Sequence, residues 1–490
     1  MRAAGVELRQ SRVAEEEEPM FQLCLLRSEQ IEPLAEGVLQ VLARVGVLCE
    51  NEEMCRALRE WGAEVDFAAQ RVRFPRRQVE AFIEQLRREE AGRQPEWGTH
   101  FPPPSLPGIG TQVAQITHDF ETGEQRNACT RDFITFTQLG AVLHPEKPVG
   151  HSLSLTDVPP VMEPLEAGLL LAEWAPIPGL PFIWRADQAD YLNEMGQLLG
   201  IDHWFTWGAT CFAHPLRFDR DTAGKFVRRV REGASAGLTA MPVAGASTPI
   251  TVEGFIVVSS AEQIATWIAG RALNPAVPLS GSIWAGTIDM KSGTVSYSAP
   301  DAMGYAFATV EFLRRWCGMR IAVGSGEYCA AKQPSLYTAL EKAHKSMTVS
   351  AFTGQPASPG GGLLDEGRAL SAVQLLLDRE MAASTAYLAP QVDPTPERIG
   401  LDAILEVGIG LETNYLQTEH TLRLFRDSLW LPTLLDRTGW NGPSDEAAIL
   451  QRTHAKVKEL LAEYRKPEGR EELLAAMRQV VEKARKKLLA

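Results

Sequence analysis

Apolar positions along the chain recur first at helical and hairpin spacing, and then as short runs separated by helices. From Ser28, "SEQIEPLAEGVLQVLARVGVLC" sets Ile31, Leu34, Val38, Leu42 and Val45 three or four residues apart, which predicts a helix with Ser28 as its N-cap. A second helix is predicted in "ENEEMCRALREWGA", a hairpin in "EVDFAAQRVRFP", and a third helix in "RRQVEAFIEQLRREE". The Pro- and Gly-rich span 93–113 reads as a crossing loop. "VAQITHDFETGEQRNA" alternates around a Glu-Thr-Gly turn and reads as another hairpin.

After about residue 131 the rhythm changes. Short apolar runs at 148–155, 180–186, 204–212, 238–245, 277–284, 320–326 and 347–354 alternate with helical stretches such as 219–234, 252–272, 299–317 and 333–346. An eighth unit is expected around 385–390. This alternation predicts a parallel α/β sheet, open or closed. No G-x-G-x-x-G follows the first strand, so a TIM (βα)8 barrel is preferred to a dinucleotide fold. The expected organisation is a polar arm (1–28), a helix–hairpin extension (29–130), a barrel core (131–415) and a C-terminal helical segment (416–490). The basic end "EKARKKLLA" reads as a solvated helix.

Composition narrows the function. The chain has 490 residues, a net charge of −13 and an ordinary globular balance, so nucleic acid is not an expected partner. Seven scattered cysteines without C-x-x-C point to a reducing compartment rather than a structural zinc site. Residues 15–18 are all glutamate, where a signal peptide needs an apolar core, and the most apolar stretch is broken by Glu173 and prolines. A cytoplasmic protein that does not cross a membrane is expected, with self-association left open.

Residues where strands end are the candidates for chemistry, because a barrel builds its site there. They are rich in aromatics: Trp184 (beside Arg185), Trp207, Trp284, Tyr328 and Phe352. Several such rings at one mouth would form a box for quaternary ammonium groups, while a single one is ordinary packing. The turn "IAVGSGEYCAAK" (321–332) presents Glu327, Tyr328 and Cys329 between two glycines and Lys332. Cys329 is either a nucleophile or an inert buried thiol. His144 and His151 match no metal spacing. "AGASTPITVEG" reads either as a phosphate nest or as the N-cap of the following helix, and "SPGGGLLDEG" as a lid or a linker.

The order of several segments resembles the trimethylamine methyltransferase (MttB-like) superfamily over residues 30–440. The stretches that carry the resemblance are "VLARVGVLCENEEMCRALREWGAEVDFAAQRVRFP", "VAGASTPITVEG", "IWAGTIDMKSG" with "APDA", and "LDAILEVGIG" followed by "TEHTLRLFRDSLWLPTLLDR". The resemblance implies a TIM barrel that passes an N-methyl group to a separate corrinoid protein. The founding trimethylamine enzymes carry pyrrolysine in the segment that matches "GSGEYCAAKQPS", at a position that falls on Tyr328. This chain therefore resembles the non-pyrrolysine branch, whose substrates are betaine-type quaternary amines such as glycine betaine.

The chemistry agrees with that departure. Attack by cob(I)alamin on neutral trimethylamine would expel an amide anion, whereas a quaternary amine leaves as a neutral tertiary amine. The enzyme then has only to position and desolvate the cation. A carboxylate touching the nitrogen would favour the ground state over the transition state, so aromatic faces are the better lining. Arg185, Arg217 and Lys332 are candidate anchors for a betaine carboxylate, Glu327 a partner for Tyr328, and Asp289 a turn cap. The chain lacks the D-x-H-x-x-G cobalamin signature, so it is expected to bind no corrinoid or metal of its own. The competing readings are a non-catalytic binder of quaternary amines and a methyltransferase for another methylated substrate.

Overall fold

A computed structural model describes residues 24–91, 102–356, 358–389, 392–437, 442 and 444–490. The expected polar arm falls largely outside these, as does most of the first half of the predicted crossing loop. The chain has a mixed α/β fold.

The N-terminal elements follow their sequence patterns closely. Helix α1 (Ser28–Gln40) starts one residue earlier than predicted: Arg27 is the cap and Ser28 the first helical residue. Leu34, Val38 and Leu42 are buried, and Val45 is left exposed. After β1 (Val47–Cys49), α2 (Glu52–Trp61) is capped by Asn51, whose Oδ1 accepts from Met54 N at 2.9 Å. β2 (Glu64–Asp66) and β3 (Arg71–Arg73) form the predicted antiparallel hairpin, with Val65 opposite Val72. Helix α3 (Arg76–Glu90) buries Val79, Phe82, Ile83 and Leu86, a 3–4 stripe.

The second predicted hairpin is β4 (Ile116–His118) with β5 (Gln125–Asn127). Alternating units follow: α4 (Thr130–Leu143), α5 (Glu163–Trp174), α6 (Ala189–Leu199), β6 (Arg217–Phe218), α7 (Arg220–Arg231), β7 (Ala236–Ala240), β8 (Val243–Ala244) and α8 (Val252–Leu273). Next come β9 (Leu279–Ile283), β10 (Gly286–Ile288), β11 (Val295–Ser296), α9 (Pro300–Cys317), β12 (Ala322–Val323), α10 (Leu336–Thr353), β13 (Leu363–Leu364), β14 (Ala369–Leu370) and α11 (Ala372–Ala386). The rest is helical: α12 (Pro396–Ile399), α13 (Leu401–Val407), α14 (Glu419–Ser428), α15 (Asp445–Glu463) and α16 (Glu471–Leu488).

Among the described residues the strands form four small sheets rather than one closed barrel. Parallel pairing nevertheless passes from segment to segment. Ala114 pairs with Leu153, Val149 with Pro178, and Phe182 with Thr206. Thr239 N donates to Thr210 O at 2.8 Å, β7 pairs with β9, β9 with β12, and Gly326 N donates to Ser358 O at 2.9 Å.

Two expected strands are corrected. The run 347–354 is the C-terminal half of α10, where Ser346, Val349, Ser350 and Thr353 are buried at helical rather than alternating spacing. Of the expected unit at 385–390, residues 385–389 lie at and beyond the end of α11, and 390 lies outside the described residues. The pairing position next to β12 is taken instead by the glycine-rich stretch around 358, and pairing on the other flank begins within the predicted crossing loop.

The main core joins Leu34, Val38 and Leu58 of α1 and α2 to Phe255, Ile264 and Trp267 of α8. A second core buries Leu474, Met477, Val481 and Ala484 of α16 with Leu165 and Leu171 of α5 and Leu192 and Met195 of α6. The expected solvated C-terminal helix is thus an amphipathic one with a buried face. Among the described residues no helix is long and apolar enough to cross a membrane.

Candidate functional site

The turn after β12 is built around two close backbone approaches. A Cβ on Gly324 would fall 2.0 Å from the Trp284 indole, and one on Gly326 2.3 Å from Pro359 O. Both positions therefore require glycine, and the turn is pressed against the end of β9 on one side and the 358–360 stretch on the other. Tyr328 emerges from this turn into a cavity of about 1410 Å³, which is also lined by Gln112, Met241, Tyr297, Glu341, His344 and Glu366.

The Tyr328 ring meets Trp284 edge-on, with centroids 6.1 Å apart, and lies 5.6 Å from Tyr297. Burial, helped by nearby acidic groups, pushes its phenol up to about 12, so the ring is neutral at ordinary pH. Among the described residues its hydroxyl has no hydrogen-bond partner. Gly367 gives the ring room, since a Cβ there would lie 2.7 Å from Cε1.

Two lysines one turn apart on α10 hold this turn from below. Lys342, fully buried, donates to Gly326 O and Pro359 O at 3.1 Å each and to Asp378 Oδ2 at 2.9 Å. Asp378 also accepts from Gly362 N at 2.8 Å and from the Gln374 amide at 2.8 Å, so α10 and α11 are tied to both neighbouring backbones. Lys345 donates to Tyr297 O at 2.9 Å and more weakly to Tyr328 O at 3.5 Å. Its burial holds the ammonium down to about 8, against the opposing pull of Glu327 and Glu366.

The acidic groups are held back from the cavity centre by their own bonds. Glu366 accepts from Tyr297 N at 3.1 Å, and burial raises its pKa. Glu341 accepts from Ala331 N at 3.0 Å and from Ser298 Oγ at 3.1 Å. Asp289 does cap its turn, accepting from Lys291 N at 3.0 Å, and it lines the cavity as well.

The structure unites only part of the expected aromatic box. Trp284 and Tyr328 come together, and Tyr297, which the sequence reading passed over, completes the group. Trp207 instead packs among the outer helices, 5.0 Å from Phe205 and with the Arg228 guanidinium 5.8 Å from its ring. Trp184 is 44 % exposed, rests on Phe182, and donates from Nε1 to Glu163 at 2.9 Å. Phe352 belongs to α10 and stacks on Phe307 of α9 at 4.8 Å. These three do not line the cavity, and neither does Trp284, which backs the Tyr328 ring instead of facing the space.

The expected anchors are all engaged. Arg185 pairs with Asp187 at the surface, and exposed Arg217 donates to His214 O at 2.6 Å. Lys332 lines the cavity with its ammonium 2.7 Å from Asp365, which also pairs with Arg368 at 2.8 Å. Glu327 does not line the cavity, and its Oε2 is buried without a hydrogen-bond partner among the described residues.

The remaining candidates have structural places. His151 bonds Glu163 at 2.8 Å, and His144 accepts from Ile109 N at 2.9 Å. Among the described residues no three His, Cys, Asp or Glu side chains gather as a metal site requires. Cys329 is fully buried, and its thiol is pushed up to about 12 by burial, which makes it inert. The phosphate-nest alternative gives way to the N-cap, with Thr251 accepting from Gly254 N at 3.3 Å. The "SPGGGLLDEG" stretch is neither lid nor linker: it packs against the Tyr328 turn and supplies Asp365, Glu366 and Gly367 to the cavity wall.

The family described as trimethylamine methyltransferase (MTTB) matches residues 2–166 and 197–489. A glycine betaine methyltransferase of Desulfitobacterium hafniense is 21 % identical over 464 residues, covering 90 % of this chain and 93 % of the relative. A trimethylamine methyltransferase MttB of the same species is 23 % identical over 487 residues, 94 % of each chain. The trimethylamine methyltransferase MttB2 of Methanosarcina mazei is 26 % identical over 283 residues, and there the match spans about half of either chain, 56 % of this one and 54 % of the relative.

Proposed function

Because the chain belongs to the trimethylamine methyltransferase (MttB) family, we propose that it transfers an N-methyl group from a quaternary amine of betaine type to the Co(I) of a separate corrinoid protein. The parallel segments from Ala114 round to Ser358, alternating with α4 to α11, are read as a TIM barrel, and the cavity as its mouth. The near-full-length likeness to a relative named glycine betaine methyltransferase supports the choice of substrate class.

One observation carries the reading. The turn matching the family's pyrrolysine segment delivers Tyr328 into a large cavity beside two further aromatic rings. A phenol that stays neutral offers a π face to a cation and no electrophilic carbon to an amine. A quaternary nitrogen needs only the first, because it already departs as a neutral amine. Each desolvated ring contributes roughly 0.5–2 kcal/mol to holding the cation. The wall carries Asp289, Glu341, Asp365 and Glu366 against Lys332 and Arg368, an acidic balance that draws cations in. Lys332 and Arg368, held on Asp365, are the cations in the wall available to a betaine carboxylate.

The test is turnover of a panel of quaternary and tertiary amines by the purified chain with free cob(I)alamin as acceptor. The expected result is a tertiary amine product and methylation of the cobalamin with quaternary substrates alone. Tight binding without turnover, with the family's corrinoid acceptors supplied as well, would favour a binding protein instead. Turnover of trimethylamine would overturn the assignment of Tyr328.

A further inference from the structure

Helix α7 carries basic side chains of two kinds, those with an acid beside them and those without. Arg228 pairs with Asp190 at 2.6 Å and Glu232 at 2.9 Å, and Arg231 pairs with Glu53 at 3.0 Å. Lys225 and Arg229, one turn apart, have no carboxylate partner among the described residues. Arg229 donates to Gly208 O at 3.0 Å, to Ser235 Oγ at 3.1 Å and more weakly to Thr210 Oγ1 at 3.4 Å. Its Nε is buried without a hydrogen-bond partner among the described residues. Lys225 is 9 % exposed and makes neither a hydrogen bond nor an ion pair among the described residues; its ammonium lies 5.2 Å from the centre of the Phe182 ring.

A buried cation without a counter-ion is costly, and neighbouring groups do not supply one. Burial holds the Lys225 ammonium below the usual lysine range, and no carboxylate opposes it. Burial also pushes the Cys211 thiol up, so that group is neutral at ordinary pH. Asp219 is committed to capping α7, accepting from Thr222 N at 3.3 Å and from Ala213 N at 2.8 Å. The place is close to the cavity. Cys211 is exposed to solvent although protein crowds its thiol, as at the wall of a concave opening. Its charge would be felt by Lys225 and equally by Tyr297 and Tyr328, the rings that line the cavity.

We infer that Lys225 binds the carboxylate of the substrate and so selects betaines over quaternary amines that carry no acid group. The inference rests on the quaternary-amine reading above and adds to it the residue that reads the substrate's tail. Tyr297 and Tyr328 offer faces to the nitrogen and nothing to an anion. Lys332 and Arg368 are mostly exposed and already share Asp365, whereas Lys225 is dry and unshared. One free ammonium matches one negative charge. A phosphate would ask for more donors than Arg229, engaged with three oxygens, leaves to it.

Calorimetric titration into wild type and Lys225→Met tests this, with choline, glycine betaine, and its homologues with longer spacers between nitrogen and carboxylate as ligands. In wild type the best-bound betaine should exceed choline in affinity by about tenfold or more, the scale of a hydrogen bond to a charged group. Lys225→Met should lose that preference through weaker betaine binding, not through tighter choline binding. Without ligand the variant should melt no lower than wild type, because the substitution removes an uncompensated buried charge. A variant that keeps the preference overturns the proposal, as does a preference lost in Lys332→Met and kept in Lys225→Met. Should Lys225→Met not fold, wild type alone decides: choline bound as tightly as every betaine overturns the anchor and leaves the quaternary-amine reading standing. A wild type that binds neither class overturns that reading and the anchor with it.

Discussion

Two stretches of the molecule place aromatic residues at the ends of parallel segments, and they put them to different uses. Between 182 and 207, Trp184 and Trp207 turn outward, to Glu163 of α5 and to Arg228 of α7, and contribute to packing. Between 284 and 328, Trp284 packs against Tyr328, and Tyr328 lines the cavity. The difference lies in the glycines and in what grips the backbone. Gly324 leaves its space to Trp284 and Gly367 to Tyr328, whereas Gly208 leaves its space to Phe182, 1.9 Å from where a Cβ would stand. Lys342 and Lys345 then fix the second stretch from beneath through carbonyl oxygens. A residue's place at a strand end says little about its role; the empty volume opposite it says more.

The comparison can be broken most forcefully at the grip. Asp378→Ala leaves Lys342 buried without its carboxylate and should cost about 3–5 kcal/mol in chemical denaturation. A loss of less than about 1 kcal/mol would mean that the carbonyl contacts alone hold the turn.

Lys345 sharpens the comparison through pH. Its proton is held at about 8 in the folded chain and at about 10.4 when unfolded. Below 8 both states are protonated and the burial penalty is present in full. As pH rises from 8 to about 10.4 the folded chain gives up the proton while the unfolded chain keeps it, so stability increases, by about 3 kcal/mol at most. Melting curves should therefore show wild type gaining on Lys345→Met through that window; parallel curves would place the ammonium in contact with water.

At the small end, Trp207→Ala should lower the thermal midpoint through lost packing yet change affinity for a quaternary ammonium ion by less than about 0.5 kcal/mol. A larger loss of affinity would return Trp207 to the site.

Much of this was legible in the sequence. The helix stripes of α1 and α3, both hairpins and the turn carrying Tyr328 follow from apolar spacing and glycine placement. The 347–354 run was not, because "MTVSAFTG" is short and β-branched, and only its register with the preceding helical turns tells helix from strand. Tyr297 and Glu366 lie on loops brought together by the path of the chain, so no local spacing marks them. Lys342, Lys345 and Asp378 left only a faint trace, in "EKAHKS" and "LLLDRE", because the helix faces that bury them also bury hydroxyl and amide side chains. A buried charge on such a face has to find a partner, and here that partner is the backbone of the site.

The central claim is that Tyr328 presents its ring to a cationic nitrogen. Calorimetric titration of a quaternary ammonium ion, glycine betaine or tetramethylammonium, into wild type, Tyr328→Phe and Tyr328→Ala tests it most directly, with the thermal midpoint read on the same samples. The account predicts that Phe retains most of the affinity and that Ala loses about 1–2 kcal/mol, the scale of one desolvated aromatic face. Undiminished affinity in Tyr328→Ala, with only the midpoint lowered, would contradict it.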